Sequence, residues 1–181
     1  RDLFYGQRRM LVLDPNGQLV DVSSECAPDS QWLASLAGQS ENLTATPIEM
    51  RRAKDTDLAI LVQLLADDPL GQAREDPRRP IADVYQRAFD AIDNDPNQYL
   101  AVAERDGVIV GMLQLTFLPG LSRMGAWRGQ IESVRVSQSA RRAGIGQIMF
   151  EWAIGQCRQR DCRLLQLTSD RSRQSAHSFY V

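Results

Sequence analysis

No stretch of the chain narrows the choice of fold as far as residues 130–170, which run from "QIESVRV" to "LLQLTSD". An alternating run, 130–136, meets "SARRAGIGQ", Ser139 to Gln147, a basic turn with two glycines. From Gly144 to Arg160 the residues Ile145, Ile148, Met149, Trp152 and Ala153 recur at helical spacing, and a second β-rich run fills 162–170. Strand, helix and strand in that order form a crossover that sets two strands parallel beneath a covering helix.

The rest of the chain extends this layout. Residues 8–23 read as a β-hairpin around the turn formers Pro15, Asn16 and Gly17, and 28–38 as a short helix. The polar stretch Gln39 to Thr46 reads as a linker, after which a second unit starts at Pro47. It opens with a strand, "IEMRRA". Two helical runs follow, the first capped by Asp55 or Thr56. The second starts at Pro80 and turns Ile81, Val84, Tyr85, Ala88 and Ile92 to one face. "QYLAVAE" and "VIVGMLQLTFL" then pair through Asp106-Gly107, a loop leads to 130–136, and "RQSAHSFYV" reads as a last short helix. The expected class is α/β (α+β): a mixed central sheet flanked by helices on both faces, with an N-terminal hairpin-helix appendage.

Composition removes several function classes. With 21 basic and 23 acidic residues the net charge is −2, which argues against nucleic acid or an anionic membrane as partner. No apolar run approaches the ~18 residues of a membrane span. Cys26, Cys157 and Cys162 fit no disulfide framework or metal-ligand spacing, so the expectation is reduced thiols, no metal and a cytoplasmic setting. The chain starts at Arg1 without a methionine and stops at "HSFYV", as a piece of a longer protein would.

At a strand-to-helix junction, free backbone N–H groups and the helix dipole attract anions, and glycine lets a phosphate approach the backbone. Arg141 and Arg142 add charge-assisted donors. Spacing alone fits a basic turn equally well. A Walker loop is excluded, because Gln147 and Ile148 follow Gly146 where Lys-Ser/Thr is needed. A dinucleotide fingerprint is excluded by Met149 in place of its third glycine.

What remains is R-x-x-G-x-G at Arg141, Gly144 and Gly146, after "ESVRV" and before "A-x-x-F-Y" at Ala176, Phe179 and Tyr180. Over residues 47–181 the chain resembles the GNAT N-acyltransferase superfamily. The resemblance implies that the backbone amides of Arg141, Arg142, Ala143, Gly144, Ile145 and Gly146 grip the pyrophosphate of coenzyme A. It also implies that Val134 and Val136 pair their main chain with the pantetheine arm. Arg142 stands where that family often has glycine, and Arg173 where an asparagine is frequent. The implied activity is acetyl transfer from acetyl-CoA to a small-molecule amine by direct attack on the thioester. A non-catalytic acyl-CoA-binding module is the alternative. Expected partners are the donor, the amine and, at most, a second copy of the chain as a homodimer.

The chemistry needs a base, since an alkyl amine of pKa about 10.4 is almost wholly protonated at pH 7. Glu132, expected on the same strand face as Val134 and Val136, is the candidate, with a surface partnership to Arg128 or Arg135 as the other reading. Tyr180 is the candidate donor to the departing thiolate. His177, the only histidine, reads as a surface or supporting residue. Asp67, Asp68, Glu75 and Asp76 either line the acceptor pocket or belong to a solvated loop, and Trp127 and Arg128 either border that pocket or cover the sheet. Residues 1–38 resemble the closing strands of the vicinal-oxygen-chelate (glyoxalase) family, with Asp21 at its metal-binding glutamate position. That implies a fusion of which residues 1–38 are the tail of the first domain, and a further alternative is that the 47–181 domain is accessory to a glyoxalase-fold metalloenzyme or resistance protein. The 47–181 domain is expected to lack its final strands, so that a partner chain or further residues cover the edge of its last one.

Overall fold

The alternating and helical runs fold close to where their periods place them. A computed structural model describes residues 8–13, 19–21, 46–67 and 69–170. Its strands are β1 (Arg8–Leu13), β2 (Leu19–Asp21), β3 (Glu49–Arg52), β4 (Gln98–Arg105), β5 (Val108–Leu118), β6 (Trp127–Val136) and β7 (Cys162–Asp170). Its helices are α1 (Leu58–Leu65), α2 (Pro69–Gln72), α3 (Asp83–Asn94) and α4 (Ile145–Gln159). The expected segments 28–38, 39–45 and 173–181 lie outside the described residues. The chain divides into two compact units, with β5, β6 and α4 passing from one to the other.

The first unit comprises Thr44–Thr116 and Glu132–Ala153. Here β3, β4 and β5 form an antiparallel meander, with Arg52 opposite Ala101 and Val102 opposite Met112. Asp106 and Gly107, at φ 53° and 75°, make the tight turn that Asp-Gly favours. Leu100–Ala103 is buried on both faces of β4, and Ala53, Leu61, Leu64, Phe89, Val102 and Met112 pack into one core. The face of α3 differs from the expected one. Phe89 is the buried residue, flanked by half-buried Tyr85 and Ile92, while Val84 and Ala88 are exposed. The large aromatic at Phe89 sets the rotation, because it buries more apolar area than Val84 and Ala88 offer. The helix also starts three residues beyond Pro80.

The start of α1 departs from expectation too. Neither Asp55 nor Thr56 caps it. The buried Asp57 carboxylate reaches back to the Lys54 N–H at 2.8 Å and to Arg51 Nη1 at 2.7 Å, and Arg51 also bonds Glu104. Burial would raise the Asp57 pKa, yet the bonds from Arg51 and Lys54 outweigh it and hold the carboxyl below the ordinary range. A depressed native pKa contributes stability above the unfolded value near 3.9, and that contribution is lost as pH falls through the native pKa. Asp57→Ala is therefore expected to cost about 1.5–3 kcal/mol at pH 7. Its stability should converge on the wild-type value in acid; chemical denaturation from pH 7 down to pH 3 checks this, and a pH-independent difference would disprove it.

In the second unit, Arg1–Leu43 with Phe117–Ile131 and Ile154–Val181, β6 runs parallel to β7, with Gln130 opposite Gln166 and Ile131 opposite Leu167. This is the crossover read from residues 130–170. Strand β7 pairs on its other side with β1, antiparallel from Arg8↔Asp170 to Leu13↔Leu165, and β1 pairs with β2. The two strands of the expected hairpin are thus present, and its turn, 14–18, lies outside the described residues. The edge of β7 expected to need a partner chain is covered by the chain's own β1. Cys157 and Cys162 are buried free thiols; burial pushes Cys157 up to about 12, which keeps it protonated and unreactive. Trp127 and Arg128 belong to β6 itself, not to the loop before it. That loop closes in a left-handed turn at Arg123, Met124 and Gly125, with φ of 55°, 61° and 75°. No described helix is long and apolar enough to cross a membrane, and no described His, Cys, Asp and Glu group together as metal ligands.

Candidate acyl-donor site

The end of β6 is bolted to its neighbour before the loop begins. Ser137 N–H donates to Val110 O on β5 at 2.9 Å. A Cβ at Gly111 would lie 2.8 Å from Met149 Sδ on α4 and 3.0 Å from Arg135 O, so the missing side chain is what allows strand and helix this close. Edge-to-face packing of Tyr99 on Trp152, 5.0 Å between centroids, seats α4 against β4.

A single 3₁₀ turn, Gln138–Ala140, then leads through Arg141, Arg142, Ala143 and Gly144 into α4. Gly144 O accepts the first helical bond, from Ile148 N–H at 3.2 Å. The four residues 141–144 are exposed. Among the described residues, no carbonyl or side chain accepts from the N–H groups of Arg142, Ala143, Gly144, Ile145 or Gly146. Five consecutive N–H groups at a helix N-terminus are thus left without an acceptor among the described residues, three of them on exposed residues, and they fit an anion. Arg142 and Gly144 both lie in the left-handed region, at φ 66° and 74°. That explains why a glycine would be the easier residue at 142.

The two arginines have different fates. Arg142 is exposed and forms no bond among the described residues. Arg141 is committed: Nε donates to Val136 O at 3.1 Å, and Nη2 to Asp67 O at 2.7 Å and Asp67 Oδ2 at 3.0 Å. Its guanidinium is therefore a brace beneath the loop, and only its backbone is left for a phosphate. The carbonyls of Val134 and Val136 accept from Arg135 Nη1 and Arg141 Nε.

Glu132 is half-buried on β6, and its carboxylate makes no hydrogen bond or ion pair among the described residues. The surface partnership to Arg128 or Arg135 is not formed. Its expected placement on one face with Val134 and Val136 does not follow from the backbone. Ser133 sits at φ 53°, a left-handed residue inside the strand, and it breaks the alternation seen at Gly129 and Ile131.

The acidic loop is largely spoken for. Asp67 accepts from Arg141 and from Gln138 N–H, Glu75 from Tyr85 OH at 2.9 Å, and Asp76 from Arg78. The Arg78 bonds hold the Asp76 carboxyl down to about 2. Asp68, His177 and Tyr180 lie outside the described residues. Sequence reasoning missed Asp67 as a partner of the loop, since nothing local in "LLADDPLG" marks an acceptor for an arginine 74 residues on.

The model of the acetyltransferase (GNAT) family matches residues 59–181. The chain belongs to the GNAT family. It is 31% identical over 137 residues to an aminoalkylphosphonate N-acetyltransferase of Salmonella typhimurium strain LT2, covering 74% of this chain and 81% of that protein. Among solved structures it is similar to a transcriptional regulator from Bacillus halodurans C-125, at 45% identity and a TM-score of 0.72 over 74% of this chain and 89% of that one. A predicted acetyltransferase from Clostridium acetobutylicum, solved with acetyl-CoA, shares the fold at 17% identity and a TM-score of 0.58, over 74% and 88% of the two chains. This GNAT chain is thus an N-acetyltransferase, of a family that uses acetyl-CoA. The family match starts at residue 59, well beyond β1 and β2.

Proposed function

We propose that the chain transfers the acetyl group of acetyl-CoA to a small-molecule amine that attacks the thioester directly. The observation that carries the donor side is the row of N–H groups from Arg142 to Gly146, at the start of α4, that have no acceptor among the described residues. These donors would hold the pyrophosphate, with Arg142 adding charge and the main chain of Val134 and Val136 taking the pantetheine arm. When bound, acetyl-CoA supplies an activated acyl group whose thiolate is a good leaving group. Glu132 would take the proton of the incoming amine, and Tyr180 would give one to the departing sulfur. The acceptor class is supported by the similarity to an aminoalkylphosphonate N-acetyltransferase. An amine carrying a phosphonate or phosphate is therefore the first candidate to try.

The test is thiol release from acetyl-CoA with a panel of aminoalkylphosphonates, polyamines, aminoglycosides and amino acids. Acceptor-dependent release is expected with at least one small amine. Tight coenzyme A binding with no release from any of them would replace this reading by an acyl-CoA-binding module.

A further inference from the structure

We propose that Asp67 is a positioning residue for the phosphate loop, acting through Arg141 and the Gln138 amide. The inference rests on the reading of that loop as the coenzyme A site. Three bonds converge on this one residue. Oδ2 accepts from Gln138 N–H at 2.9 Å and from Arg141 Nη2 at 3.0 Å, and the Asp67 carbonyl accepts from the same Nη2 at 2.7 Å. Through Nε, Arg141 also ties Val136 O, so one guanidinium joins the end of β6, the loop and the connection between α1 and α2.

The anchor is itself well fixed. Asp67 N–H donates to Leu64 O at 3.2 Å, so the residue continues the last turn of α1. Gly71 on α2 packs so close to that turn that a Cβ there would lie 1.9 Å from Leu65 O. The loop, by contrast, carries two left-handed residues, and Arg142 at φ 66° is strained for a residue with a side chain. Such a backbone persists only where its surroundings over-determine it. Asp67 and Arg141 are the partners seen to do so. The Asp67 carboxylate also walls a groove of about 560 Å³ with Ile60, Leu64, Ile109 and Ser139, so solvent reaches the pair.

Electrostatics and positioning predict opposite signs here. Removing Asp67 deletes a negative charge beside an anion site and frees Arg141, so charge alone would tighten coenzyme A binding. If Asp67 shapes the loop, its loss weakens binding although a repulsive charge has gone. Asp67→Ala and Asp67→Asn, each checked for a native unfolding midpoint, should weaken coenzyme A binding about 5–10-fold by calorimetry, a modest effect because the pair is part-exposed. KM for acetyl-CoA should rise to match, with kcat at saturation and KM for the amine unchanged within about twofold. The double variant Asp67→Ala/Arg141→Ala should bind no worse than Arg141→Ala alone, as expected of two residues acting in one chain of contacts.

Amide exchange of the 137–148 segment in the ligand-free protein should be faster in both Asp67 variants. This readout needs no cofactor, so it can fail separately from the proposed function. Wild-type protein that binds no coenzyme A would overturn both readings. Wild-type binding together with unchanged or tighter binding by the Asp67 variants, or unchanged exchange, would overturn this one alone.

Discussion

Gly144→Val is expected to remove coenzyme A binding, by about 100-fold or more, while the protein stays folded. Gly144 lies at φ 74°, and a Cβ there would meet no atom within 4 Å. Space is therefore not what demands glycine. The backbone is, because a β-branched residue in the left-handed region costs at least about 1–2 kcal/mol. The chain can relieve that cost by rotating the peptides on either side of position 144. Those peptides carry the N–H groups of Gly144 and Ile145, two of the five that have no acceptor among the described residues. A valine side chain would also stand in the open space before the cradle, where it would hold a phosphate off the backbone. Because the loop is exposed, the unfolding midpoint should drop by only a few degrees.

The neighbouring position gives the opposite pairing of effects. Arg142→Gly should stabilise the protein by up to about 1 kcal/mol, since glycine adopts φ 66° without strain. It should also weaken cofactor binding a few-fold, more at low salt, by removing a cation. Calorimetry of unfolding and of coenzyme A binding on both variants separates backbone from charge. Wild-type affinity in Gly144→Val would show that the loop is only a turn.

Local signals were legible in the sequence. The β7 run 162–170 and the Asp106-Gly107 turn matched because each is decided by a few adjacent residues. The buried face of α4 matched at Ile145, Met149 and Ala153. The rotation of α3 was misread, since period alone does not weigh one phenylalanine against smaller apolar residues. The left-handed Ser133 inside β6 carries no mark in "IESVRV", and it invalidated the face argument for Glu132. Contacts between distant segments were the least legible. Nothing in "RRMLVL" names β7 as its partner, and nothing in "LLADD" names Arg141. The turn from Arg141 into α4 could be read because glycine announces left-handed main-chain geometry, found here at Gly144. An acceptor pocket offers no such local mark, because its side chains can come from scattered positions.

Glu132→Gln is expected to lower kcat about 100-fold at pH 7, at the lower end of what a general base supplies. The carboxylate is half-buried on β6 and has no partner among the described residues, and it adjoins the left-handed Ser133. Half-buried carboxylates in structural roles are usually paired, and breaks in a strand often serve to re-aim a side chain. An amine of pKa about 10.4 is neutral in roughly one molecule in 2,500 at pH 7. Without a base, turnover depends on that fraction, which grows tenfold with each pH unit until the amine titrates. The variant's rate should therefore rise with unit slope between pH 7 and 9.5, and the gap to wild type should close by about a factor of ten per unit. KM for acetyl-CoA should stay within twofold, because the loop at 142–146 is untouched. A loss of constant size across that range would make Glu132 a pocket wall, and no loss at all would place the base elsewhere.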